Sequence, residues 1–349
     1  MALQSSTGVF RLLDHLNELT SVRDGNALNR ALASIVYRIA AAESLTLYRA
    51  VGTSEDLRWL SCVHCSARGF VAMDVSCCDF DQLPLIGEYP LRCNALRGEE
   101  GICQEGSQTL CVLPLGSGRH TGGVLELRTA TRLEPDTLEV LRRLLKGYQN
   151  HQALLTYSAC DTLTGLLNRK TFDESFREVT AVRQEAPAER FPGDRRRLTR
   201  QPFWLAMIDV DRFKRINDTF GHLIGDEVLL TLSQLMRRSF RALDRLYRFG
   251  GEEFAAMIRC PGEAYVHALF ERLRERVERH EFPQVGRVTV SIGFTAIGPQ
   301  ESASSVIERA DQALYYAKQQ GRNQVCCYEA LVARGAVKVE SKAGPIELF

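Results

Sequence analysis

Residues 244–258 read DRLYRFGGEEFAAMI, two short apolar runs on either side of a Gly250-Gly251 pair. Apolar runs joined through glycines read as a β-hairpin, and the glycines admit the backbone angles of a tight turn. They also remove side chains, so a bulky ligand can approach the backbone at Gly250, and Glu252 and Glu253 follow at once. Upstream, residues 203–211 read FWLAMIDVD, a near-continuous apolar run that predicts a strand buried on both faces. It ends in Asp209-Val210-Asp211. Open sheets place ligands near the carboxyl ends of their strands, and strand alternation sends Asp209 and Asp211 to one side. Carboxylates projecting into one place suit a hard cation such as Mg2+. Acidic residues alone would repel a nucleotide, so a metal is implied, with Asp209 and Glu252 sharing it and drawing in triphosphate oxygens. Lys318 and Arg322 stand four apart at the end of a predicted helix that Gly321 stops, and cations so spaced hold phosphates. Together these pieces describe a metal-dependent nucleoside-triphosphate site. The Gly-x4-Gly-Lys-Ser/Thr loop is absent, which excludes a P-loop protein. Taken singly, each has a plainer reading: a helix start, a turn, a solvated face.

The surrounding elements alternate. Helices are predicted at 169–179, 224–240, 262–280 and 302–320, and strands at 203–210, 244–249, 253–258, 287–297 and 324–328. Residues 184–201 are polar and basic, with Arg190, Arg195, Arg196, Arg197 and Arg200, and read as a solvated loop. The tail at 329–349 carries no legible motif.

The first part of the chain is of another kind. Leu12, Leu13, Leu16 and Leu19, then Leu28, Leu32, Ile35, Val36 and Ile39, recur at helical spacing. A strand at 44–48 and a hairpin of 109–115 with 123–128 follow, the latter joined by Gly116-Ser-Gly-Arg-His-Thr-Gly122. From Pro135 to Cys160 a helix is predicted, with Leu138, Leu141, Leu145, Tyr148, Gln152, Leu155 and Ala159 at alternating steps of three and four. That is a heptad seam of a paired coiled coil, weakened by Gly147 and Gln152; the alternative is one amphipathic helix packed on its own domain.

At 349 residues and 39.2 kDa, two domains are expected. The fold class is α+β. Hydrophobic residues at 45% and charged residues at 25% suit a globular protein rather than a disordered or fibrous one. Lys plus Arg number 44 against 43 Asp plus Glu, which argues against charge-driven nucleic-acid binding. No run of 18 apolar residues and no signal peptide is visible, so no membrane partner and a cytoplasmic location are expected. Eleven cysteines do not suit a disulfide framework. Cys62-Val-His-Cys65 has the gap of a metal or redox pair, without a second such pair; adjacent Cys77 and Cys78 cannot point the same way from a strand, and the plainer reading is reduced core thiols.

Five ordered stretches resemble the GGDEF-domain diguanylate cyclases: DTLTGLLNR (161–169), IDVDRFKRINDTFGHLIGDEVL (208–229), RALDRLYRFGGEEF (241–254), VTVSIGF (288–294) and ADQALYYAKQQGRNQV (310–325). The resemblance implies a nucleotide-cyclase-like fold with a central, mainly antiparallel sheet. It implies condensation of two GTP into cyclic di-GMP and two pyrophosphates, with Mg2+ (or Mn2+) as cofactor and a homodimer that brings two half-sites together. Asp209 and Glu252 are then side-chain metal ligands, the Ile208/Val210 neighbourhood supplies a backbone oxygen, and Glu253 assists deprotonation of the 3′-hydroxyl. Asn217 and Asp226 match the guanine readers; Asp226 argues for GTP over ATP. Phe213, Lys214 and Gly250 lie around the triphosphate, and Lys318 and Arg322 match its β/γ-phosphate contacts. Arg241-Ala-Leu-Asp244 matches an inhibitory product site, or else is a local Arg–Asp pair.

The helices, strands and the stretch LPLGSGRHTGGVLEL (113–127) more loosely resemble a GAF domain, a sensory fold on an antiparallel sheet, with its ligand unknown. The expected organisation is thus a GAF-like sensory domain at 1–134, a signalling helix at 135–160, a GGDEF domain at 161–328 and a tail at 329–349. A nucleotide sensor without catalysis, and a redox- or metal-responsive first domain, are the rival readings.

Overall fold

In a computed structural model, residues 13–52, 56–72, 80–116, 122–182, 201–241 and 243–337 are described. Leu12, Cys77 and Cys78, the centre of the 116–122 connection, nearly all of the basic loop and the end of the tail lie outside them. The chain divides into two units, passing from one to the other at Ala159 and Cys160.

The first unit opens with helices α1 (13–21) and α2 (Gly25–Ile39). The Asp24 side chain accepts from the backbone N–H groups of Asn26 and Ala27, which starts α2, and Leu28, Leu32, Ile35 and Val36 form its buried stripe. Strands β1 (Ser44–Gly52), β2 (Leu57–Ser66) and β3 (Gly69–Ala72) precede helix α3 (Pro90–Leu96). Strands β4 (Gly101–Glu105), β5 (Gln108–Pro114) and β6 (Gly123–Thr129) lead to helix α4 (Pro135–Ala159). The six strands form one antiparallel sheet in the order β3-β2-β1-β6-β5-β4. The expected hairpin is present as β5 and β6, Thr109 facing Thr129. Over one face, the Arg92 guanidinium of α3 meets Glu126 at 2.6 Å and lies against the rings of Tyr48 and Tyr89, at 3.7 and 4.1 Å. Cys62 and Cys65 are buried and free, and burial pushes the Cys65 thiol up to about 12. Among the described residues no group of three or more His, Cys, Asp or Glu is placed to hold a metal.

Helix α4 is continuous, but its seam is divided. Leu138, Leu141, Leu144, Leu145 and Tyr148 are buried, and the Tyr148 hydroxyl donates to the Asn29 side-chain oxygen of α2 at 2.7 Å. Further on, Leu154 and Tyr157 are 65% and 73% exposed. The first half of the predicted seam is therefore spent inside its own unit, while its later members Gln152, Leu155 and Ala159 are half-buried and the exposed Leu154 and Tyr157 lie off that seam.

The second unit runs through β7 (Leu167–Asn168), α5 (Arg169–Val182), β8 (Phe203–Val210), α6 (Phe213–Phe220), α7 (His222–Ser239), β9 (Arg245–Gly250), β10 (Glu253–Arg259) and α8 (Glu263–Arg279). It continues with β11 (Glu281–Phe282), β12 (Gly286–Arg287), β13 (Val290–Ala296), α9 (Ala303–Gln319), β14 (Val325–Cys327) and α10 (Tyr328–Ala333). The main sheet has the order β14-β13-β8-β10-β9-β7, antiparallel inside and parallel at both edges. Alternate residues of β8 explain its apolar run. Ala206, Ile208 and Val210 pack with Val228, Leu232, Phe270 and Leu273 of α7 and α8, while Leu205 and Met207 pack with Phe172, Phe176, Ala310 and Leu314 of α5 and α9. Helix α9 lies directly on β13: a Cβ at Gly293 would stand 2.0 Å from the Leu314 nitrogen and 2.3 Å from the Ala310 oxygen.

Three elements differ from the sequence reading. The strand expected at 287–297 is broken, because Arg287 pairs back to Glu281 in a small hairpin and β13 begins only at Val290. Helices α6 and α10 were not expected. Each is a turn or two long, α6 burying only Phe213 and Ile216 and α10 only Tyr328 and Leu331, too few residues to display a period. Among the described residues no helix is long and apolar enough to cross a membrane.

Candidate active site

The site forms where β8 ends beside the β9–β10 turn. Pairing of β8 with β10 sets Asp209 opposite Glu253. Asp209 is 4% exposed, and its carboxylate meets the Lys318 ammonium, from the last turn of α9, at 2.8 Å. Burial pushes the Asp209 carboxyl above its ordinary range; Lys318 opposes this, while Glu253 and Asp211 add to it. Burial and the charge of Asp209 likewise raise Glu252. Two carboxylates thus share the field of one place, and a cation already stands there as an ammonium. The pair fits a divalent cation. The rest of such an ion's shell would come from main-chain, water or phosphate oxygens. Ile208 and Val210 have fully buried side chains, so only their main-chain oxygens are available for that purpose.

Asp211 does not join this pair as a ligand. Its carboxylate accepts from the Thr289 hydroxyl at 2.7 Å, the Ser291 hydroxyl at 2.6 Å and the Asn323 backbone N–H at 3.0 Å. It anchors the turn after α9, in which Gly321, Arg322 and Asn323 all have positive φ, at 112°, 67° and 45°. Two non-glycine residues in that region store strain. The Asn323 side chain, bonded to both Glu278 and Arg274, helps hold it. Arg322, exposed at this turn, owes its position to Asp211.

The predicted base readers lie on the next two helices. Gly225 of α7 leaves room for the Asn217 side chain of α6: a Cβ there would stand 1.9 Å from its oxygen. That oxygen is buried and has no hydrogen-bond partner, an acceptor waiting for a donor. Asp226 is exposed on α7, Lys214 is exposed in the first turn of α6, and the Phe213 ring is buried in the core. Phe213 therefore serves a ligand only through its backbone, at the start of α6.

Comparison with known proteins identifies this arrangement. Residues 158–324 match the sequence model of the family described as "Diguanylate cyclase, GGDEF domain". The chain carries a GGDEF domain. The chain is 40% identical over 168 residues to diguanylate cyclase DgcP of Pseudomonas aeruginosa, covering 47% of this chain and 23% of that protein. It is 35% identical over 170 residues to diguanylate cyclase DgcZ of Escherichia coli, covering 48% of this chain and 52% of that one. Among solved structures, the GGDEF domain of DgcB from Caulobacter crescentus in complex with c-di-GMP is 35% identical, with a TM-score of 0.43, covering 49% of this chain and 94% of that one. The chain thus spans about a quarter to a half of the length of the curated relatives named here.

Within the GGDEF domain, Arg241 and Asp244 form a tight local turn. The Arg241 backbone N–H donates to the Asp244 carboxylate at 2.9 Å, and the Asp244 N–H donates back to the Arg241 oxygen at 3.1 Å. Burial raises the Asp244 carboxyl to about 6, with Arg241 partly offsetting it. One pair escaped the sequence reading. Arg248 meets Asp161 at 3.0 Å and donates through two nitrogens to the Gly251 oxygen, at 3.1 and 2.8 Å. It ties the first residue of the DTLTG stretch to the glycine turn, a link across 87 positions that no local spacing announces.

Proposed function

We propose that this chain is a diguanylate cyclase that condenses two GTP into cyclic di-GMP and two pyrophosphates. The observation that carries this reading is the meeting of buried Asp209 with Lys318 beside the Glu252-Glu253 turn, inside the stretch that matches the family. Asn217 and Asp226 read guanine, the unpartnered Asn217 oxygen accepting from the base and Asp226 accepting from its donor edge. Lys318, Arg322 and Lys214 hold the triphosphate. In each of two steps the 3′-oxygen of one GTP forms a bond to the α-phosphorus of the other, the α–β bridging bond breaks, and pyrophosphate leaves. Glu253, exposed beside Asp209, takes up the hydroxyl proton or passes it to solvent. Mg2+ or Mn2+, held by Asp209, Glu252 and a main-chain oxygen of the Ile208/Val210 strand end, offsets charge on the pyrophosphate when bound.

One domain holds one GTP, so two copies must meet, and a homodimer formed along the exposed half of α4 supplies the partner. The first unit is read as a GAF-like sensory domain with an unidentified ligand, a reading that its antiparallel sheet supports. Product bound at Arg241 and Asp244 would lower turnover. GTP supply places the reaction in the cytoplasm. Incubation of the purified chain with GTP and Mg2+, with products resolved by mass spectrometry, tests the proposal: cyclic di-GMP from wild type and none from Glu253→Gln is expected. Nucleotide binding without product would instead leave a GTP or cyclic di-GMP sensor.

A further inference from the structure

The Lys318–Asp209 pair has a meaning beyond phosphate contact. Lys318 ends α9, and its ammonium stands 2.8 Å from Asp209. Its charge opposes the rise that burial imposes on the Asp209 and Glu252 carboxyls, so it lies in the field of both carboxylates at once. Among the described residues no other side chain pairs with Asp209. The place where a divalent cation would bind thus already holds one positive charge supplied by the chain itself, set against the Asp209 carboxylate. An ammonium and a metal ion set against the same buried carboxylate repel each other, so the ammonium opposes the metal's entry. Helix α9 cannot slide to relieve this, because its backbone rests against Gly293 with no space between. The lysine side chain can. Its four-carbon stem is flexible, and its head is 31% exposed.

We propose that Lys318 serves as the resident cation beside Asp209 and yields the place only when metal and nucleotide enter together. A bare divalent ion gains two carboxylates and must expel an ammonium that then has only water to face. An ion carrying a nucleoside triphosphate brings the phosphate oxygens to which Lys318 transfers. One movement both admits the metal and delivers a cation to the triphosphate, so free metal binds poorly before nucleotide arrives. This inference rests on the reading of the site as one for a metal–nucleotide complex.

The test is binding of Mn2+ to the full chain, followed by electron paramagnetic resonance, with and without a GTP analogue whose α–β bridge is a methylene. Without nucleotide, Lys318→Met is expected to bind Mn2+ roughly tenfold more tightly than wild type, and Lys318→Arg, which keeps the charge, to resemble wild type. With the analogue the order reverses, Lys318→Met binding it roughly tenfold more weakly. Lys318→Gln repeats the comparison if circular dichroism shows the Met variant unfolded. Equal or weaker Mn2+ binding by the uncharged variants without nucleotide would overturn the resident-cation role while leaving the site reading intact. Failure of wild type to bind Mn2+ even with the analogue would overturn both.

Discussion

Two aspartates two positions apart divide the labour at the end of β8. Asp209 is buried with one ammonium for company, whereas Asp211 accepts three hydrogen bonds from Thr289, Ser291 and Asn323. Removing Asp211 as Asp211→Ala strands those donors and releases a strained turn, so about 2–4 kcal/mol of stability should be lost, read as a lower melting temperature with a raised KM for GTP. Asp209→Asn should do the opposite: it relieves a buried charge, leaving the melting temperature nearly unchanged, while turnover falls by about a hundredfold or more. The sequence placed both carboxylates near the site, since alternation is local. It could not tell ligand from anchor, because Asp211's partners lie 78, 80 and 112 positions away. Asp244 gives a pH signature. If product binds at Arg241 and Asp244 as proposed, this carboxyl, raised by burial to about 6, is the stronger acceptor for guanine when ionised. Cyclic di-GMP should bind there more weakly at pH about 5.5 than at about 7.5, with a midpoint near 6, in calorimetric titrations; a flat profile would remove Asp244 from product recognition.

Two close approaches decide how elements carry the site. At Gly293 the obstructing atoms are backbone, so Gly293→Ala must push α9 off β13 and displace Lys318. About 1–3 kcal/mol or more of stability and most of the turnover should go together. At Gly225 the obstruction is only the end of the Asn217 side chain, so Gly225→Ala should melt close to wild type yet raise the KM for GTP by roughly tenfold, through loss of one well-placed polar contact. Long elements were legible in the sequence for a physical reason. The predicted strand at 203–210 and the helices at 262–280 and 302–320 agree with β8, α8 and α9 to within a residue at each end, because burial on one face or two imposes a period over many residues. Helices α6 and α10 and the break before Val290 are too short for that. α6 begins at Arg212 in a left-handed conformation, φ 58°, with no side-chain cap, so the usual start signal is missing as well.

At the scale of the whole chain, α4 is the last element of the first unit and ends at Ala159, just before the second unit begins. Its early leucines are buried and its later Leu154 and Tyr157 exposed, so Leu154→Glu combined with Tyr157→Glu should leave the fold intact while converting dimer to monomer in light scattering and suppressing product. A dimer that survives this change would move the pairing surface elsewhere. The change in motif content along the sequence pointed to two parts; the exposure of Leu154 and Tyr157 was not legible, because both lie off the heptad positions that the sequence picks out. Tyr148, pinned to Asn29, and then His151, its ring nitrogen 2.7 Å from the Val22 oxygen, hold the helix of 25 residues to its own unit as far as position 151. Beyond it the chain behaves as a shaft clamped at one end, in which every added residue rotates whatever follows by about 100°. Output should therefore oscillate as residues are inserted after Gln152, low at one or two and restored near seven, when the rotation returns almost to its starting angle.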